Sequence, residues 1–472
     1  LPMTKAYQIK FGTDGWRAII AQDYTIGNLE RVAEATAKWI LQLPKTKRKA
    51  VIGYDCRFGG ELFMKRTAEI FAYYNIQTIC VEGFVSTPMV SMGTKYFQAD
   101  AGIVITASHN PPSYNGFKIK AHYGGPAVPS EISKVESLIK NSCSIETKSF
   151  DAYMKDNLIT YEDLCKMYVD DIHSKIDFKL LDEKKLQIGY DAMYGAGQNA
   201  MKTLFPKGTF LHCDYNPGFG GQAPEPIARN LEEFQKLIKT NKNINSGLAT
   251  DGDADRIGLY DENGNFVDSH HILLLLIEYL TQHKKMQGIV VNSFSCTSKI
   301  DLLCKKYKLE QMITKIGFKY ICELMTKHDI LVGGEESGGI AIAGHIPERD
   351  GIFVGLTIWE FMCKTGKSLN ELVQDMYDRV GTFWVDRNDL HLPNSVKQDV
   401  VNKCKTDFYK RFGSLQVTKT EKIDGIKFHL GEEKWVMVRP SGTEPLLRIY
   451  AQGKNKKESD AVLSEVESTL LH

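Results

Sequence analysis

The sequence has no excess of one charge and no hydrophobic run long enough to cross a membrane. Among its 472 residues, 59 Lys and Arg nearly cancel 58 Asp and Glu. This balance removes whole-chain electrostatic support for binding a nucleic acid or an anionic membrane. The most apolar stretch, Ile272 to Ile277, is bounded by Asp268 and Glu278, whereas a membrane helix needs roughly 18 apolar residues. We therefore expect neither a nucleic-acid partner nor a membrane partner.

Paired cysteine motifs are also missing. The ten cysteines are scattered singly, without a C-x-x-C pair that would start a zinc ribbon or a redox motif. We expect mostly buried thiols in a reducing cytosol. The first residues, Leu1 to Lys5, do not lead into the apolar core of a signal peptide. These features predict a cytoplasmic protein.

Strand-like and helix-like patterns alternate along most of the sequence. Apolar residues recur with helical spacing from Leu29 to Ile40, and the apolar run at 50–55 is typical of a strand. Further strand-like runs follow at 77–81 and 102–106, and the alternation restarts at 186 and at 288. At about 150 residues per domain, the length corresponds to three or four domains. The alternation predicts three related α/β domains with mixed, mostly parallel sheets.

The last part of the chain has a different pattern. Strand-like runs at 435–438 and 446–451 flank a polar turn, and a helix-like tail begins at 456. This pattern predicts a C-terminal α+β domain. The sequence thus divides into expected domains at 1–160, 161–287, 288–389 and 390–472.

Each α/β repeat contains a strand that ends in a polar loop. The three loops are Thr106–Pro112, Thr250–Arg256 and Gly333–Gly339, and the C-terminal domain has the turn Arg439–Pro445. Open α/β sheets bind ligands at the carboxyl ends of their parallel strands. We therefore expect four loops that converge on a central cleft.

The first two loops carry the residue types of phosphate and metal chemistry. Ser108 can be a nucleophile if its loop exposes it, or a turn serine bonded to its own backbone. The loop lacks the glycines that flank the serine of an esterase nucleophile elbow, which argues against acyl-transfer chemistry. The second loop has three aspartates spaced two residues apart, Asp251, Asp253 and Asp255. Their carboxylates can face one point only if a cation lies there, and oxygen ligands of this kind suit Mg²⁺. The alternatives are a solvated acidic turn and an EF-hand, which would need glycine where Arg256 stands.

The third loop and the C-terminal turn offer groups for a sugar and a phosphate. Glu335, Glu336 and Ser337 lie among four glycines and can accept hydrogen bonds from sugar hydroxyls, although a merely tight turn is the alternative. The C-terminal turn has guanidinium, hydroxyl and backbone donors for a phosphate, from Arg439, Ser441, Gly442, Thr443 and Arg448. It lacks the spacing of a Walker loop.

Taken together and in this order, the four loops resemble those of the α-D-phosphohexomutases, the phosphoglucomutases and phosphomannomutases, over nearly the whole chain. Thr106–Pro112 resembles the phosphoserine loop of that family and Asp251–Arg256 its metal loop. Gly334–Ser337 resembles its sugar loop, and Arg439–Pro445 its phosphate loop. Gly12–Arg17 resembles its N-terminal signature.

The resemblance implies a role for each matching residue. Ser108 would be phosphorylated, and the three aspartates with a phosphoserine oxygen would hold Mg²⁺. Arg17 and Lys118 would line the reacting phosphate beside His109, with Lys118 a general acid or base whose pKa we expect to be lowered in a crowded cationic site. The remaining residues would bind substrate, namely Arg256, Lys319, Glu335, Ser337 and the five residues of the C-terminal turn.

The implied reaction interconverts glucose 1-phosphate and glucose 6-phosphate through glucose 1,6-bisphosphate, which also acts as activator. Gly338 and Gly339 stand where the dual-specificity branch has a histidine, and Tyr114–Phe117 differs from the Asp-Asn-Gly-Ile of the phosphoglucosamine branch. We therefore expect glucose phosphate as substrate. The alternatives are a phosphomannomutase or dual-specificity mutase, a phosphoglucosamine mutase, a Mg²⁺-dependent sugar-phosphate phosphatase, and a non-catalytic sensor. We expect a monomer or a weak homodimer that binds hexose phosphates.

Overall fold

The computed structural model describes residues 7–44, 46–431, 433–441 and 446–471. The chain divides into two units. The first comprises the residues up to Gln287 together with Gly317–Leu372, and the second comprises Gly288–Ile316 and the residues from Val373 onward. Among the described residues, no helix combines the length and the apolar character needed to span a membrane. All ten cysteines are free and eight are buried, which confirms the predicted buried thiols.

The first sheet of the first unit has the strand order β1-β5-β4-β2-β3-β7, with β6 beside β5. Its strands are β1 (Trp16–Ile19), β2 (Lys49–Tyr54), β3 (Gln77–Cys80), β4 (Ala101–Ile105), β5 (Tyr114–Ala121), β6 (Gly125–Pro126) and β7 (Ile159–Tyr161). Its helices are α1 (Ile26–Gln42), α2 (Gly60–Tyr73), α3 (Thr87–Tyr96), α4 (Pro129–Leu138) and α5 (Phe150–Lys155). Strands β4, β2, β3 and β7 are parallel, whereas β5 is antiparallel to β4. Because β5 is antiparallel to β4, the loop that joins them lies at the carboxyl end of β4.

The second sheet has the order β12-β11-β10-β8-β9. Its strands are β8 (Ile188–Asp191), β9 (Thr209–Leu211), β10 (Ser246–Thr250), β11 (Ile257–Tyr260) and β12 (Phe266–Val267). The helices in this part of the chain are α6 (Leu164–Lys175), α7 (Phe178–Glu183), α8 (Gln198–Leu204) and α9 (Glu232–Thr240), with 3-10 turns at Phe219–Gly221 and Ala228–Asn230. Strands β10, β8 and β9 are parallel, and β10 and β11 form an antiparallel hairpin.

The next part of the chain contributes to both units. The elements are α10 (Ser269–Glu278), which continues as a π-helix at Tyr279–His283, then β13 (Ile289–Ser293), α11 (Lys299–Tyr307), β14 (Gln311–Thr314), α12 (Phe318–Met325), β15 (Ile330–Gly334), β16 (Ile340–Ile342), α13 (Gly351–Thr365) and α14 (Leu369–Val380). Strands β13 and β14 are parallel in the second unit. Strands β15 and β16 are an antiparallel hairpin in the first unit.

The C-terminal sheet is antiparallel throughout, in the order β17-β23-β22-β21-β20. Its elements are β17 (Trp384–His391), α15 (Asn394–Lys405), the hairpin β18 (Arg411–Phe412) and β19 (Leu415–Gln416), β20 (Lys419–Glu421), β21 (Ile426–His429), β22 (Trp435–Pro440), β23 (Leu446–Gly453) and α16 (Lys456–Leu471). One face packs a core that includes Val436, Val438, Leu447 and Ile449. This sheet confirms the predicted α+β character.

The predicted alternation of strands and helices is confirmed, with local differences. The predicted helix from Leu29 to Ile40 lies within α1, and the apolar run Ile272–Ile277 lies within α10. Strand β9 ends at Leu211, because His212 has a left-handed backbone with φ of 46° and extended pairing cannot continue through such a residue.

Candidate active site

Ser108 lies in the loop between β4 and β5, at the carboxyl end of β4. Its side chain is buried, and its Oγ donates a hydrogen bond to Asp251 Oδ2 at 2.8 Å. Asp251 begins the turn between β10 and β11. The first two loops predicted from the sequence therefore meet at these two side chains.

The backbone around Ser108 is held by two residues that follow β2. Ser108 has a left-handed conformation, with φ of 52°. Its N–H donates to Thr106 Oγ1 at 2.9 Å, and Arg57 Nη2 donates to its carbonyl oxygen at 2.6 Å. Asp55 accepts a hydrogen bond from Thr106 Oγ1 and pairs with Arg57 Nε at 3.4 Å. Buried polar contacts thus hold a backbone conformation that a serine does not favour.

Asp251, Asp253 and Asp255 are buried together in the β10–β11 turn. One oxygen of each lies within 4.8 Å of the others. The turn joins two antiparallel strands, which excludes the helix–loop–helix of an EF-hand. Burial, together with repulsion from the other two aspartates, raises the pKa of Asp251 well above its usual range. Such a cluster calls for a cation at its centre.

Two oxygens of this cluster have no hydrogen-bond partner within the described part of the chain, namely Asp253 Oδ1 and Asp255 Oδ1. Asp253 Oδ2 accepts from Thr87 Oγ1 at 2.5 Å and from Lys118 Nζ at 2.7 Å. Asp255 Oδ2 accepts from Lys118 Nζ at 3.0 Å. Buried carboxylate oxygens without a donor are suitable ligands for a hard divalent cation. The residues present therefore fit a metal ion.

Lys118 is buried on β5, and its ammonium contacts three carboxylates. Its Nζ lies 2.9 Å from Asp14 and also contacts Asp253 and Asp255. Burial lowers the pKa of Lys118, but these three carboxylates outweigh burial and raise the pKa above its usual range. The expectation of a lowered pKa is therefore wrong, because anionic neighbours dominate the surroundings of this lysine.

Arg17 and His109 lie beside the serine loop. Arg17, on β1, donates from Nη1 to Asn110 Oδ1 at 2.7 Å. His109 Nδ1 lies 3.4 Å from Ser108 Oγ. Burial, with added repulsion from Arg256 and Arg17, lowers the pKa of His109 well below its usual range. The imidazole is therefore neutral at neutral pH.

The Gly333–Gly339 loop bonds directly to the metal loop. Ile257 N donates to Gly338 O at 3.1 Å, and Arg256 and Gly339 form a β-bridge. The Arg256 side chain is half-buried, with its Nη1 3.9 Å from Glu225. The serine, metal and sugar loops predicted from the sequence are thus neighbours within the first unit.

Glu335 is the buried acid of this third loop. Its Oε1 accepts a hydrogen bond from Gly317 N at 2.6 Å. Burial and repulsion from Glu336 raise the pKa of Glu335 to about 7. Ser337 is half-buried two residues further on. Lys319, near the start of α12, lines a cavity of about 140 Å³, and residues Gly12–Gly15 line the same cavity.

Arg439 and Arg448 belong to the second unit. They lie on the neighbouring strands β22 and β23, where their Cα atoms are direct partners. Arg439 Nε donates to Asp424 Oδ1 at 3.0 Å, and Ser441 N donates to Leu446 O at 2.9 Å. Gly442 and Thr443 lie outside the described residues. That this turn converges with the other three loops stays a prediction.

Sequence reasoning missed several residues that contact the site, namely Asp14, Arg57, Thr87 and Arg349. Arg349 is buried, and its Nη2 contacts Asp255 Oδ2 at 2.8 Å and Asp14 Oδ2. A signal was present, because Arg349 lies in the charged run Glu348–Asp350, which is flanked by apolar stretches. Charged residues in such surroundings are buried only when they are paired.

The domain models of one family match most of this chain. They describe the phosphoglucomutase/phosphomannomutase α/β/α domains I, II and III, which match residues 8–145, 166–264 and 268–380, and the C-terminal domain, which matches 396–468. Fold and site thus define an α/β enzyme that transfers a phosphoryl group within its substrate. The chain belongs to the phosphoglucomutase/phosphomannomutase family.

Individual relatives are similar over nearly their full length. A protein of Methanosphaera stadtmanae named a probable phosphoglucosamine mutase is 30% identical over 96% of each chain. A phosphoglucomutase/phosphomannomutase of Thermococcus kodakarensis is 27% identical over 95% of each. A crystal structure from Thermus thermophilus, provisionally named a phosphomannomutase, is 29% identical, with a TM-score of 0.86 over 99% of this chain and 100% of that one.

Proposed function

We propose that this protein is a phosphoglucomutase, which interconverts glucose 1-phosphate and glucose 6-phosphate through a phosphoserine at Ser108 and a glucose 1,6-bisphosphate intermediate. One observation carries the proposal. Ser108 Oγ is buried and lies 2.8 Å from Asp251 Oδ2, in a cluster of three buried aspartates. A phosphoserine at this position would have a metal site beside it.

Phosphoryl transfer depends mainly on alignment and on neutralising charge. Asp251, Asp253 and Asp255 would hold Mg²⁺, which when bound supplies positive charge beside a phosphoryl group. Lys118 holds a proton at Nζ and is positioned as the general acid, and the guanidinium of Arg17 contacts Asn110 of the serine loop. His109 is neutral and therefore adds no charge to the site.

The other residues bind the substrate. Glu335 and Ser337 would accept hydrogen bonds from the sugar hydroxyls, with Arg256 and Lys319 also in contact with substrate. The phosphate that is not reacting would be bound by the C-terminal turn, through Arg439, Ser441, Gly442, Thr443 and Arg448. The bisphosphate then has to turn around, so that its other phosphate returns to Ser108. Closure around the intermediate would exclude water that hydrolyses phosphoserine.

The names of the relatives support a second candidate substrate. The Methanosphaera stadtmanae protein is named for glucosamine phosphate and the Thermococcus kodakarensis protein for glucose and mannose phosphates. Glu335 and Ser337 favour glucose by resemblance. Glucosamine phosphate is therefore the second candidate for this chain, and mannose phosphate the third.

The test measures turnover with three sugars. Purified protein with Mg²⁺ and a trace of the matching 1,6-bisphosphate receives glucose 1-phosphate, mannose 1-phosphate or glucosamine 1-phosphate, and the 6-phosphate formed is quantified. We expect the highest kcat/KM with glucose 1-phosphate.

Ser108→Ala should lower mutase activity at least about a thousandfold, as loss of a nucleophile does. Ser113→Ala, at an exposed position in the same loop, is the matched control. Release of inorganic phosphate without isomer would identify a phosphatase instead.

A further inference from the structure

Lys118 and Arg349 share the same two carboxylate oxygens. Lys118 Nζ lies 2.9 Å from Asp14 Oδ2 and 3.0 Å from Asp255 Oδ2. Arg349 Nη2 contacts the same Asp14 Oδ2 and lies 2.8 Å from the same Asp255 Oδ2. The four groups form a closed ring of alternating charge, which we call the Lys118–Arg349 ring. It is buried, since the side chains of both cations are at most 5% exposed.

The residues on either side hold Arg349 in place. Glu348 accepts hydrogen bonds from Ser91 Oγ at 2.9 Å and from Lys120 Nζ at 2.8 Å. Asp350 accepts from Tyr168 Oη at 2.9 Å and caps α13. Because both neighbours are fixed by buried partners, the position of Arg349 is fixed too.

Gly339 leaves the space through which Arg349 reaches the ring. A Cβ at position 339 would lie 2.4 Å from Arg349 Cδ and 3.1 Å from its Cγ, so an alanine there would displace the arginine. The backbone at Gly339 has no left-handed φ, so alanine fits its conformation. The third loop and the ring are therefore sterically coupled.

The ring determines how strongly the acidic cluster holds Lys118. Without Arg349, the ammonium would be attracted more strongly by Asp255 and by Asp14, which among the described residues would then be shared only with Lys120 at 3.5 Å. A lysine held that tightly cannot turn toward a phosphoryl group without losing ion pairs. Arg349 also contacts one oxygen of Asp255, whose other oxygen is a candidate metal ligand.

We propose that Arg349 is a positioning residue of this site: by neutralising Asp14 and Asp255 it leaves the Lys118 ammonium available to the phosphoryl group and weakens the attraction of the acidic cluster for Mg²⁺. The part concerning Lys118 rests on the proposed function. The part concerning Mg²⁺ does not, because metal binding is measured without substrate.

The first experiment measures Mg²⁺ binding by titration calorimetry in wild type, R349A and R349K. We expect R349A to bind Mg²⁺ on the order of tenfold more tightly, because a positive charge next to a ligand has been removed. R349K should stay near the wild-type affinity, because a single nitrogen of Arg349 makes both contacts. R66A removes a paired arginine that contacts Glu30 and Glu69 elsewhere and should not change Mg²⁺ affinity. Unchanged or weaker binding in R349A would overturn the proposal.

The second experiment uses Gly339 and serves also if R349A does not fold. G339A should tighten Mg²⁺ binding as R349A does, and both should lower kcat about a hundredfold with KM changed less than about threefold. In the double variant, G339A should add nothing, since contacting residues are not additive. A full additional effect would contradict the steric coupling. If wild type shows no mutase activity, the proposed function fails, while the Mg²⁺ measurements still test Arg349.

Discussion

Arg439 and Arg448 face the same side of the C-terminal sheet from directly opposite positions on β22 and β23. Like charges that face each other across two strands destabilise a sheet. Asp424 contacts Arg439 Nε, whereas Arg448 Nε is buried without a hydrogen-bond partner in the part of the chain that the structure describes. We expect two arginines opposed in this way to bind an anion, because a bound phosphate would relieve the repulsion between them.

Replacing Arg448 by methionine tests this explanation. R448M should leave the stability of the phosphate-free protein nearly unchanged, because the repulsion from Arg439 that it removes is offset by the lost attraction to Asp389, directly opposite Arg448 on β17. It should also remove most of the stabilisation that inorganic phosphate gives to wild type. The measurement is thermal unfolding with and without phosphate, with R411M, at an exposed position of the same domain, as control. Equal stabilisation of R448M and wild type by phosphate would refute the anion site.

The left-handed backbone of Ser108 predicts that two inactive variants differ in stability. S108A and S108G both remove the hydroxyl group. Glycine adopts a φ of 52° without strain, so S108G should be more stable than S108A by about 1 kcal/mol. The comparison is made by urea unfolding. Equal midpoints would mean that the loop relaxes to another conformation when the Ser108–Asp251 hydrogen bond is lost.

Mg²⁺ should stabilise the folded protein through the acidic cluster. At a concentration of 100 times its dissociation constant, a ligand that binds only the folded state adds about 2.7 kcal/mol. We expect this increase in wild type and its loss on adding EDTA. D253N should show little or none of it, because one candidate ligand is gone. D407N, at an exposed ion pair with Lys422, is the control. A full Mg²⁺ effect in D253N would place the metal elsewhere.

Glu335 should make stability fall as pH rises toward neutrality. Its pKa is raised from 4.5 to about 7 by burial and by Glu336, so between these values the folded protein holds a proton that the unfolded chain has lost. The free energy of unfolding therefore decreases with pH across this window, by up to about 3 kcal/mol. E335Q should lose this pH dependence of stability. E183Q, which changes an exposed glutamate, should keep it. Urea unfolding at pH 5, 6, 7 and 8 measures both, and parallel profiles for wild type and E335Q would contradict it.

Local periodicity was sufficient to predict most elements of the fold. The helix expected from Leu29 to Ile40 lies within α1, and the run at 102–106 nearly coincides with β4, because burial of one face or of a whole strand leaves a direct imprint on the sequence. The serine, metal and sugar loops could be located for the same reason, since each follows a buried strand.

What the pattern could not show was which charges meet. Arg349 contacts Asp14 although the two are 335 positions apart, and a short charged run between apolar stretches does not indicate which residue pairs with its arginine. The sign of the pKa shift of Lys118 depended on the same information. A sequence containing Arg17, Lys118 and Arg256 suggests a cationic site, but Lys118 is surrounded by Asp14, Asp253 and Asp255.

The sequence by itself determined the α/β repeats, the α+β end and the loops that carry Ser108 and the three aspartates, because these features arise from short-range periodicity and strand ends. Only the tertiary structure decided how the buried charges pair, including the shared oxygens of the Lys118–Arg349 ring. It also decided that the Arg349 side chain packs against Gly339. Such pairing depends on distances of a few ångströms between loops of different sheets. Those distances follow from how the sheets pack, and no local pattern encodes them.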